Sequence, residues 1–210
     1  MNTRQAEIEK ALVDVRKAYR LLHQYQRTVL DAAKYISARL GVGYEGGYPC
    51  FSDCSPRPGR GHLDNWAWDW LNLIFYDFHF SAKNGHREIN FLIRLFSDTG
   101  YFESRDPSAQ TAFAAVETSR TVVAFFFYTK WKDELDNFIN AKEEIKRFLE
   151  SGQLPSPFKA AGVVGICRSF SCISDEESCD CIIDELLQLA RTNGFPLKAL
   201  TKDSRTKAPL

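Results

Sequence analysis

The sequence predicts an α+β fold: a long N-terminal helix, a central antiparallel sheet built on a hairpin over 71–96 plus a strand over 121–128, and two C-terminal helices packed on the sheet. Three observations predict it. Apolar residues recur at alternating spacings of four and three through the first forty positions. Two runs of large apolar residues flank Asn84-Gly85 in the manner of a hairpin. Strand patterns are grouped in the middle of the chain with helical patterns before and after, whereas the βαβ alternation of nucleotide-binding α/β folds is absent.

The composition suits a folded chain. Of 210 residues, 44% are hydrophobic and 26% charged, the proportions of ordinary globular domains. Residues 1–196 read as one domain, divided into a helix over 1–40, a Gly/Pro-rich loop over 41–65, a sheet over 66–130 and a helical part over 131–196. A basic, flexible tail follows over 197–210.

The helical seam holds Ile8, Leu12, Val15, Tyr19, Leu22, Gln26, Val29, Ala33, Ile36 and Leu40, and only Gln26 breaks it. That spacing places all ten side chains on one stripe. Gly41 supplies a C-terminal stop. At 1.5 Å per residue the helix would run for roughly 55 Å, longer than a compact domain of this size is wide. Either it breaks across the sheet, or part of it projects and packs on a second molecule, so a homodimer through the residue 8–40 helix is one expectation. The loop that follows carries six glycines and three prolines, and so long a stretch without regular structure is usually functional or mobile.

In the hairpin, a two-residue loop at Asn84-Gly85 would pair Phe80 with Ile89, Phe78 with Phe91, Tyr76 with Ile93 and Ile74 with Leu95, all on one face. Thr121–Tyr128 is apolar on both faces and is expected to be buried on both. Residues 132–150 read as an amphipathic helix with Leu135, Phe138, Ile139, Ile145, Phe148 and Leu149 inward, and 161–170 as a short strand. Ser174 with Glu177 three residues on is a capping box that opens a last helix, with Ile182, Ile183, Leu186, Leu187 and Ala190 inward.

Charge excludes little and localises something. Lysine plus arginine (27) equals aspartate plus glutamate (27), so the net field supports neither nucleic-acid nor membrane binding, although nucleic acid stays open as a partner. Locally, residues 1–40 are basic, and Asp175, Glu176, Glu177, Asp180, Asp184 and Glu185 form an acidic stretch. The N-terminus has no apolar signal region, and the longest apolar run, Val122–Tyr128, is too short to cross a bilayer. A cytoplasmic location with reduced thiols is therefore expected.

Two groups of residues are candidate sites. The first is Arg57, Arg60, His62, Asp64, Trp66 and Trp68, with Trp70 beyond. Arginines beside glycines suit a phosphate or carboxylate. The histidine and aspartate suit proton transfer. Tryptophans at period two suit stacking or a protein hot spot. The bland alternative is a surface loop anchored by buried tryptophans. The second group is Asp77, His79, Asn90 and Arg94 on the polar side of the hairpin, with His79 opposite Asn90 and Asp77 diagonal to Arg94. Its bland alternative is a solvated sheet face with one cross-strand ion pair.

No metal is expected. Cys167, Cys172, Cys179 and Cys181 contain no C-x-x-C, and on a helix Cys179 and Cys181 would point about 200° apart. Cys50, Cys54 and His62 make only a looser set. No cofactor motif and no assembled nucleophile is present. The expected function is a non-catalytic binding protein, such as an adaptor, an immunity-type protein or an inhibitor of a larger assembly, with a protein as partner. The alternative is an enzyme acting on a phosphate-containing or nucleic-acid substrate through the Arg57–Asp64 loop.

Overall fold

The computed structural model describes residues 3–50, 71, 73–84, 87–103, 113–129, 142–154, 162–195 and 197. Over these residues the protein is α+β. A single helix, α1 (Thr3–Leu40), precedes a sheet of β1 (Gly43–Pro49), β2 (Phe75–Asn84), β3 (Arg87–Phe96), β4 (Val122–Tyr128) and β5 (Val163–Ser169). Between the strands lie a short α2 (Gly100–Glu103) and α3 (Lys142–Ser151). A 3₁₀ turn (Phe170–Ile173) leads into α4 (Glu176–Thr192).

The strands run β1-β2-β3-β4-β5, each antiparallel to its neighbour. Side chains alternate between the two faces, and both faces are covered. One carries Phe78, Phe80, Phe91, Ile93, Phe125 and Phe127, on which pack Val29–Leu40 of α1 and the inner face of α4. The other carries Phe75, Leu92, Phe96, Val122 and Phe126, on which pack Phe102 of α2 and Ile145, Phe148 and Leu149 of α3. The C-terminal helices thus lie on opposite faces of the sheet. Every residue of β4 is buried, as its two-sided apolar pattern requires.

Local chemistry sets the element ends. Gly41 stops α1 in the left-handed region at φ 70°. The N-cap of α4 is Asp175, one residue later than the expected Ser174, and its carboxylate accepts from the Ser178 backbone N–H. Both residues are good caps, and the chain turns into helix only after Asp175.

Two further expectations are corrected. Residues 43–49, read as loop, form edge strand β1. Gly47 there is set by ring packing: a Cβ on it would lie 2.4 Å from Cε1 of Tyr76. The short strand expected over 161–170 is present as β5. The hairpin register is two residues from the expected one, because Asn84 pairs with Arg87, so Phe80 meets Phe91 and Phe78 meets Ile93. A slip of two leaves every side chain on its face, so alternation alone does not separate the two registers.

Candidate functional site

The first candidate group, Arg57, Arg60, His62, Asp64, Trp66 and Trp68, lies outside the described residues, as do Trp70, Cys54 and residues 130–141.

The second group is described. β2 and β3 place Asp77 directly opposite Arg94, not diagonal to it. Arg94 Nε donates to Asp77 Oδ1 at 2.6 Å and Nη2 to Oδ2 at 2.5 Å. This two-point pair is buried, with Arg94 only 1% exposed. The face is therefore covered rather than solvated. The remaining guanidinium nitrogen, Nη1, is buried with no hydrogen-bond partner. Burial would lower the Arg94 pKa, but the Asp77 carboxylate beside it more than offsets this and holds it raised.

His79 stands two residues along the same face, half-buried, with Tyr48 edge-on at 5.5 Å between ring centroids. Burial lowers its pKa, Asp77 opposes and Arg94 adds to the lowering. Cys50, whose backbone N–H donates to Phe75 O, lies beside the pair. Burial and the Asp77 charge raise its thiol well above the ordinary value, so it is a protonated, unreactive group. Asn90 is not brought in: it pairs with Ser81, and its side chain donates to Thr129 O at 3.3 Å. The cluster is a neutralised ion pair, a protonated thiol and a histidine held towards its neutral form on one face of the sheet, with no activated nucleophile among these residues.

Among the described residues, no three His, Cys, Asp or Glu side chains converge as metal ligands. Cys179 is buried while Cys181 is exposed, the divergence that their helical spacing demands.

A different feature comes from α1. Its seam divides in two. Val29, Ala33, Ile36 and Leu40 are buried against the sheet and α4. Ile8, Leu12, Val15, Tyr19 and Leu22 are exposed, from 36% at Leu22 to 68% at Tyr19. Residues 4–24 are exposed at every position, and over roughly 31 Å they form an arm. The division falls at Tyr25, which packs on Phe170 at 5.1 Å and hydrogen-bonds Ser97 Oγ at 2.8 Å. Below it, Tyr35 Oη and Arg39 Nη1 both donate to Asp180 of α4, at 2.8 and 2.7 Å. The basic character of α1 and the acidic character of α4 thus meet at this joint, and the arm leaves from a fixed base. On its outer face charges pair within the helix, as in Asp14–Lys17 at 3.0 Å. The sequence signal for the arm was present in the helix length. Its division at Tyr25 shows in the sequence only as the neighbouring Gln26, the one polar residue of the stripe, and a single polar position does not tell which half is covered.

No described helix is long and apolar enough to cross a membrane. A family model described as PM0109 matches residues 5–196, which takes in nearly all of α1 and the whole sheet. No curated protein and no solved structure matches the chain.

Proposed function

We propose that this chain, which belongs to the PM0109 family, is a non-catalytic interaction protein that engages a helical protein segment through the arm of α1. The observation that carries the reading is the exposure of Ile8, Leu12, Val15, Tyr19 and Leu22 on one side of a rigidly based helix. Isolated apolar side chains on a surface are ordinary, but a continuous seam of them marks a contact surface. A stripe at four-three spacing takes a second helix by knobs-into-holes packing. An adaptor, an immunity-type protein or an inhibitor of a larger assembly would each use such an arm.

A photoreactive residue in place of Leu12, on the seam, tests the reading against the same residue in place of Lys10, on the outer face. Protein adducts are expected on illumination in cells from position 12 and not from position 10. Equal labelling from the two positions, or none from position 12, would sink the proposal.

A further inference from the structure

We infer that the arm's partner is a second copy of this chain, seated antiparallel, with residues 5–22 of each α1 lying along residues 22–5 of the other. The inference rests on the arm being the docking element proposed above.

Direction decides the orientation. The exposed seam and the buried stripe Val29–Leu40 are one stripe on one side of one helix. From Val29 onward, the side of α1 that a partner helix would occupy is filled by the chain's own sheet and α4. A parallel partner would run into that volume, and the two bodies would contest it. An antiparallel partner runs the other way, and each body sits past the other's seam.

The seam also selects the register. With Leu12 against the partner's Val15, Ile8 meets the partner's Tyr19 and Gln5 meets the partner's Leu22. The two-fold axis repeats each pairing, so every exposed seam residue is covered. A register one heptad longer would place the partner's Gln5 on Val29, which is already buried. One heptad shorter would leave Leu22 with no seam residue opposite it in the described helix.

Charge agrees with that choice. Glu9 and Arg16 each follow a seam residue directly, Ile8 and Val15, and so flank the seam on the same side. The antiparallel register brings Glu9 beside the partner's Arg16, twice over by symmetry. Ala11 and Ala18 on the other flank leave room for close approach.

Native mass spectrometry and sedimentation of the full chain at micromolar concentration test the assembly. The expected mass is double the 24.0 kDa of one chain. Val15→Glu with Leu22→Glu should return it to 24.0 kDa with the circular dichroism of the body unchanged, since neither residue packs in the core. Orientation is read independently by mixing Ile8→Cys chains with Tyr19→Cys chains and mapping disulfides by peptide mass spectrometry. A disulfide between positions 8 and 19 is expected. A disulfide between position 8 of both copies in Ile8→Cys chains alone overturns the antiparallel pairing. A wild-type monomer, or a monomer that enters anionic vesicles through the arm, overturns the second copy. A monomer whose position 12 still labels another protein overturns the second copy and leaves the docking arm standing.

Discussion

Arg94 is a charged side chain with almost no exposure, held by both oxygens of Asp77 and with Nη1 unpaired. Removing one partner of such a pair strands a buried charge, at a cost of about 3–5 kcal/mol, while replacing both with apolar groups is far milder. Arg94→Met and Asp77→Leu alone should each lower unfolding free energy by that order in urea titrations. Arg94→Met combined with Asp77→Leu should cost much less than the two single costs added together. Additive losses would show that the two side chains are not coupled. That an aspartate on β2 would lie near an arginine on β3 was legible from the hairpin alternation. Their direct opposition was not, because a register slip of two preserves the faces. Nor was their burial, since whether a polar sheet face is wet depends on what packs over it.

The sheet depends on close approach at its edge strand β5. Gly165 sits where a Cβ would come within 2.5 Å of Cδ1 of Phe126 and 2.9 Å of the Phe125 carbonyl oxygen. Gly165→Ala should therefore force β4 and β5 apart and destabilise the protein by about 1–3 kcal/mol, read as a lower thermal midpoint. An unchanged midpoint would mean that β5 lies further from β4 than described. β4 itself was legible, since two-sided apolarity implies two-sided burial. β1 was not, because three glycines in seven residues, Gly47 among them packed against the Tyr76 ring, have the composition of a loop. α1 was legible in length and in stripe. Its two halves, one in the core and one exposed, are the same pattern in sequence, and only the extent of the sheet and α4 divides them.

Burial across both faces of the sheet gives the whole molecule a pH response. Burial pushes the Cys167 and Cys179 thiols up to about 11 and the Tyr25 and Tyr128 hydroxyls up to about 12, and raises Cys50 as well. Each group binds its proton more tightly folded than unfolded. The stability it contributes is complete below the ordinary thiol value of 9.0 or tyrosine value of 10.0 and is lost as pH rises through the folded value. The thermal midpoint should therefore begin to fall near pH 9 and fall steeply by pH 12. A midpoint constant across that range would contradict the burial of these groups. His79 acts on the acid side with the opposite sense. Its folded pKa is lowered from 6.5, so its contribution is present above 6.5 and is lost as pH falls below that value.

The sequence by itself determined the fold class, the helical stripe of α1, the faces of the hairpin and the two-sided burial of β4. These follow from periodicity, a local property set by side-chain direction along a helix or strand. Tertiary structure alone decided the hairpin register, the strand hidden in a glycine-rich stretch, the closure over Asp77 and Arg94, and the point at which α1 leaves the core. Each of those depends on where a distant segment comes to rest, and periodicity carries no record of that.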